Sequence, residues 1–117
     1  MKAGREKFGA FIRREREAKE IGLREMAKKI GVSPTYLSKV ERDEFPPPAE
    51  ERVRKIAEII GQDADELLAL AGRVASDLTD IIREQPRGMA DFLRSARGLT
   101  PEDMVRLARQ AQKAKEK

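Results

Sequence analysis

The chain is cut by Gly or Pro into eight short apolar stripes of helical spacing, and this punctuation leaves few folds open to it. Phe8, Phe11, Ile12 and Ala18 mark a first helix from about Arg5 to Lys19, with Glu15 inside the stripe and in need of a partner or a route to solvent. Gly22 precedes Leu23, Met26, Ala27 and Ile30, a second helix closed by Gly31. Ser33 can cap a third helix with Pro34 at its first position, where a missing N–H costs little. Pro46, Pro47 and Pro48 cannot lie inside a helix. A fourth helix follows from Ala49 to Ile60, with Val53, Ile56, Ala57 and Ile60 inward and Gly61 after it. Asp63 caps a fifth, carrying Leu67, Leu68 and Leu70 and ended by Gly72.

Three more helices are expected beyond Gly72. Leu78, Ile81 and Ile82 mark a sixth that stops before Pro86, and Met89, Phe92, Leu93 and Ala96 a seventh that stops at Gly98. Thr100-Pro101-Glu102-Asp103 is a capping signature for an eighth, with Met104, Leu107, Ala108 and Ala111 on one side. The final "KAKEK" is expected to fray. The expected fold is all-α: a five-helix domain over residues 1–72, then a three-helix extension over 73–117.

Composition narrows the chemistry. With 117 residues, 39% apolar, one Tyr, four Phe and no Trp, the chain can build a modest helical core and lacks the alternating β-branched runs of a sheet. It has no Cys and no His, so disulfides, thiolate metal sites and the usual acid–base side chain are excluded. An enzyme is not expected, since no spacing gathers carboxylates and Lys around a recognisable cleft. Asp77, Asp80 and Glu84 read as a solvated face, and Glu102 with Asp103 as favourable charge at a helix start, so neither a metal nor a cofactor is expected. No apolar stretch is long enough to cross a bilayer and no leader pattern is evident; a cytoplasmic protein is expected. The last helix is basic and amphipathic, but its Ala- and Met-rich side suits packing better than a membrane surface. Residues 1–45, 46–72 and 73–117 carry net charges of +4, −3 and +3, so the two ends are basic and the middle is acidic. A basic segment is an electrostatic footprint for nucleic acid.

The third helix is where that footprint finds a shape. At 100° per residue, Leu37 and Val40 fall on one side with Ser33 and Glu41, while Thr35, Ser38, Lys39 and Arg42 gather within about 100° on the other. Leu37 and Val40 dock the helix, and four polar side chains project together. Ala27 lets the second and third helices approach, and Gly31 allows the left-handed turn between them. A B-DNA major groove, about 12 Å wide, accepts one such helix. The expectation is a displayed helix that reads DNA.

From "FIRREREAKEIGLREMAKKIGVSPTYLSKVER" to "IAEIIGQDADELLALAG" the sequence resembles the phage-repressor-like (Xre-type) helix-turn-helix regulators. The likeness is most specific at Met26-Ala27, Ile30-Gly31-Val32, Leu37 and Val40-Glu41. It implies a lambda-repressor-like five-helix domain that binds operator DNA as a dimer, and a pair between Arg16 and Glu41. It further implies base-reading roles for Thr35, Ser38 and Lys39, with backbone contacts from Arg24, Ser33, Pro34, Tyr36 and Arg42. Tyr36 also lies near the docking flank, where it could simply pack. Three positions depart from the family pattern: Glu20 and Gly22 before the second helix, and Glu15 in the first, which suggests a shallower core.

Two accounts of function remain open at this point. The first is a sequence-specific transcriptional regulator, bacterial or phage-encoded, acting as a repressor on a palindromic operator as a homodimer. Leu78, Ile82, Phe92, Leu93, Met104 and Leu107 would then form the dimer interface, although their spacing equally fits a fold-back onto the first domain. The second is an antidote-type interaction module that clamps a toxin and regulates its own operon. An inactivating peptidase is a further partner that the resemblance permits.

Overall fold

The computed structural model describes residues 6–116 and is built from helices, with no strand among the described residues. Five helices come first: α1 (Phe8–Ala18), α2 (Leu23–Ile30), α3 (Pro34–Glu41), α4 (Glu50–Ile60) and α5 (Ala64–Leu70). Three follow: α6 (Ser76–Glu84), α7 (Pro86–Ser95) and α8 (Pro101–Lys115). The all-α architecture of five helices and then three is the one the punctuation implies. The expected start of the first helix at Arg5 lies outside the described residues.

The local stop and start signals act as their chemistry dictates. Gly31 takes φ 78°, a left-handed conformation that a Cβ would penalise, and so ends α2 within one residue. The Oγ of Ser33 accepts the Tyr36 backbone N–H at 3.0 Å, while Pro34 occupies the first position of α3. Asp63 caps α5 in the same way, accepting from the Glu66 N–H at 3.0 Å. Thr100 and Asp103 form a reciprocal capping box at the start of α8.

Two details differ from the sequence expectation. Ala18 is exposed, because α1 ends there and its inward stripe is taken over by Arg16. Helix α8 runs through Lys113 to Lys115, so most of the stretch expected to fray continues the helix, with basic residues in its last turn.

The chain divides between Leu78 and Thr79 into two compact units. In the first, Ile12, Met26, Ala27, Ile30, Leu37, Val40, Val53, Ile56, Ala57, Ile60, Leu67 and Leu68 form the core, with Phe8 and Phe11 at its edge. Burying one such Leu or Ile is worth about 1.5–3 kcal/mol. Helix α3 packs on both α1 and α2, which fixes its axis from two sides. The unit extends past Gly72: Arg73 donates to the carbonyls of Pro47 and Pro48, Ala75 is buried, and the Ser76 N–H donates to Glu50.

In the second unit, α7 and α8 bury no residue. Phe92 (58% exposed), Leu93 (49%), Met104 (48%) and Val105 (53%) are open to solvent, and Leu107 is half-buried. Ile82 on α6 is half-buried and Ile81 exposed, while Leu78, at the end of the first unit, is 41% exposed.

Candidate nucleic-acid interface

The interface is built outward from a buried ion pair. Arg16 on α1 donates from Nε to Oε2 of Glu41 at 2.8 Å and from Nη2 to Oε1 at 2.9 Å, a two-pronged contact 25 residues apart in sequence. Its Nη1 donates to the carbonyl of Ile21 at 2.8 Å. Both side chains are almost wholly buried. The hydrogen bond it donates to Glu41 holds the Arg16 guanidinium above its ordinary pKa, against the opposing effect of burial. Removing either partner would strand a buried charge, at a cost of about 3–5 kcal/mol. The pair therefore fixes the carboxy end of α3 to α1 and the start of α2.

A second tie holds the same end of α3. Asp43 follows the helix in a left-handed conformation, φ 60°, and its Oδ1 accepts the Gly9 N–H at 2.9 Å. Helix α1 has no side-chain cap of its own, so this remote carboxylate satisfies one of its free amino-terminal donors. Gly9 permits the approach: a Cβ there would lie 2.2 Å from the Val40 carbonyl oxygen and 2.8 Å from that of Glu41. A third tie comes from Arg52 of α4, which donates to Ile30 O at 3.1 Å and closes the carboxy end of α2 beside the turn.

With the carboxy end of α3 tied down and the end of α2 before it closed, the outward side of α3 is open. Thr35 and Arg42 are exposed, and Ser38 and Lys39 half-buried. A surface depression is lined by Leu23 and Arg24 from α2, by Pro34, Thr35 and Ser38 from α3, and by Arg42 just after it, so Arg24 stands beside three of the outward residues. A neighbouring depression adds Arg13 next to Ser38 and Arg42. Arg13 was missing from the sequence assignment; its place on the α1 surface beside α3 follows only from the crossing of the two helices.

The remaining assigned residues have local duties as well. Arg42 donates from Nε to the Ser38 carbonyl at 3.4 Å and lies 3.6 Å from Glu44, an exposed pair of small worth. Tyr36 is half-buried, with its ring centroid 5.8 Å from that of Phe45. Lys39 holds its ammonium 5.4 Å from the Phe45 centroid. Arg24 and Lys39 have no carboxylate partner among the described residues. An anion would meet them without first displacing one.

A helix-turn-helix domain family matches residues 7–70, more than half of the chain. The chain belongs to the Xre-type helix-turn-helix regulators. Two uncharacterized HTH-type transcriptional regulators of Mycobacterium tuberculosis, from strains CDC 1551 and H37Rv, are each 36% identical over 76 residues, 65% of this chain. The match takes in 54% of their length, so the chain spans about half of these curated relatives. Among solved structures, the clp gene regulator ClgR from Corynebacterium glutamicum is similar over 82% of this chain and 96% of its own, with 26% identity and a TM-score of 0.50. The N-terminal DNA binding domain of SinR from Bacillus subtilis is 31% identical over 52% of this chain and 88% of its own, with a TM-score of 0.47.

Among the described residues no cluster of three His, Cys, Asp or Glu is arranged to hold a metal ion. No described helix is long and apolar enough to cross a membrane.

Proposed function

We propose that this chain is a sequence-specific DNA-binding transcriptional repressor. Helix α3 enters the major groove with Thr35, Ser38 and Lys39 toward base edges. Lys39 donates to guanine O6 or N7, and the two hydroxyls donate to or accept from base edges, or touch a thymine methyl through Thr35. Arg24, Tyr36 and Arg42, with the amino end of α3 at Ser33 and Pro34, hold phosphates and set register without carrying sequence information. Arg13 extends that phosphate-facing rim. The observation that carries this function is the rigid anchoring of α3 by Arg16–Glu41 and Gly9–Asp43 beneath an open polar side.

One such unit covers one half-site, so we assign pairing to the second unit together with Leu78, the last residue of the first. Two copies joined through Leu78, Ile82, Phe92, Leu93, Met104 and Leu107 would bind half-sites about 34 Å apart on a palindromic operator. The matched curated relatives are described as transcriptional regulators, which favours regulation over the antidote-type module.

Titration of labelled duplex DNA at several salt concentrations tests the assignment. Arg24→Ala is expected to weaken binding to all duplexes alike and to flatten the salt dependence by roughly one phosphate contact. Lys39→Ala is expected to relax preference at one position in each half-site, at about 1–3 kcal/mol for the lost contact. Uniform weakening by Lys39→Ala on every sequence would remove it from the base-reading set.

A further inference from the structure

Of the three side chains assigned to base edges, only Lys39 is charged, and it is the least determined. A lysine carries its ammonium on a flexible four-carbon stem and loses much rotamer freedom when it is fixed on a base. In this structure its direction is set. The ammonium lies 5.4 Å from the centroid of Phe45, inside the range of about 6 Å in which an aromatic face attracts a cation.

The ring is itself held from two sides. Its centroid stands 5.8 Å from that of Tyr36, with the planes inclined by 48°, so the two rings support each other. The backbone N–H groups of Glu44 and Phe45 both donate to the Lys39 carbonyl, at 2.9 and 3.3 Å. The left-handed Asp43 turns the chain so that these bonds form. Phe45 is still 41% exposed and stands outside the core, so it is an edge residue of the α3 surface.

We propose that Phe45 is a positioning residue for sequence reading: its ring orients the Lys39 ammonium along the α3 ridge, with Tyr36 as its buttress. The inference rests on the DNA-reading function assigned to α3 and deepens it. An ammonium has three N–H donors, and a ring on one side leaves donors on the other for an acceptor pair on guanine. A lysine already so placed gives up less freedom on binding and discriminates more sharply between bases. Tyr36 then acts through Phe45 as well as through its hydroxyl.

The test compares affinity for a duplex that the wild-type chain recovers from a random pool with affinity for an unrelated duplex of equal length. Phe45→Leu is expected to lower that ratio by about two- to fivefold with the salt dependence unchanged. Phe45→Tyr, which keeps an aromatic face, should preserve it, and Phe45→Leu should add nothing once Lys39 is Ala. In the free wild-type protein, the Lys39 side-chain methylene protons should show upfield ring-current shifts by NMR, a readout that needs no variant to fold.

Absence of those shifts overturns the proposal. So does a Phe45→Leu chain that keeps the full ratio, or a Phe45→Leu effect that persists undiminished with Lys39→Ala. Those results leave the DNA-reading function standing. A wild-type chain that recovers no preferred duplex removes that function first, and the role of Phe45 with it.

Discussion

Gly9 is the residue on which the placement of α3 turns most sharply. Its missing side chain lets α1 lie against the carbonyls at the end of α3, and its N–H is bound by Asp43 at 2.9 Å. In Gly9→Ala, Cβ meets a backbone oxygen at 2.2 Å, which no rotamer change relieves. The expected cost is about 2 kcal/mol or more, read as a lower thermal or denaturant midpoint, with DNA affinity falling as α3 shifts. An unchanged midpoint would mean that α1 and α3 separate easily. Glu20 presents the reverse case. It holds φ 57°, a conformation strained for any side chain. Glu20→Gly should therefore stabilise the chain by about 1 kcal/mol in denaturant titration, the relief of strain outweighing the added freedom of the unfolded chain.

At the scale of elements, what the sequence made legible was what neighbours in sequence decide. The turn between α2 and α3, the Ser33 cap, the Pro34 start and the capping box of α8 are chosen within four or five residues, and each could be read from its own short stretch. The ties that make α3 a rigid platform are different in kind. Gly9–Asp43, Arg52–Ile30 and Arg73–Pro47 join residues 34, 22 and 26 apart, and no periodicity encodes such pairs. Arg16–Glu41 came only from the family resemblance. Ala18 misled because periodicity continues past the point where a helix stops being covered.

Acid sensitivity also belongs to elements. Asp103 is held below the ordinary carboxylate pKa range, first by the Thr100 backbone N–H, then by the Thr100 hydroxyl and Arg106. Glu50 is held low first by Arg54, with further help from the Ser76 N–H. A carboxyl depressed in the folded state contributes stability above its unfolded pKa and loses it as pH falls through the folded value. Helix α8 should thus fray at its amino end, and the 73–76 segment loosen from α4, only below the ordinary carboxylate range. Amide exchange at Asp103 and Ser76 as a function of pH checks this. Protection that is flat down to strong acid would speak against both contacts.

The whole molecule divides its labour between a unit with a buried core and a unit whose helices bury no residue fully. A chain truncated after Leu78 keeps Arg73, Ala75 and Ser76 with their partners and should fold with a cooperative transition. One truncated after Gly72 loses all three and should be measurably less stable. If residues 79–117 join two copies, the longer truncation should sediment as a monomer at concentrations where the full chain is a dimer. A dimeric 1–78 chain would assign pairing elsewhere.

The central claim is that the anchored α3 reads duplex DNA. Selection of random duplexes by the full-length chain at low salt tests it most directly. The expected result is an enriched motif of two related half-sites, about one helical turn apart, that is lost when Thr35, Ser38 and Lys39 are replaced together by Ala. A recovered pool as random as the starting one, from a folded chain, would contradict it.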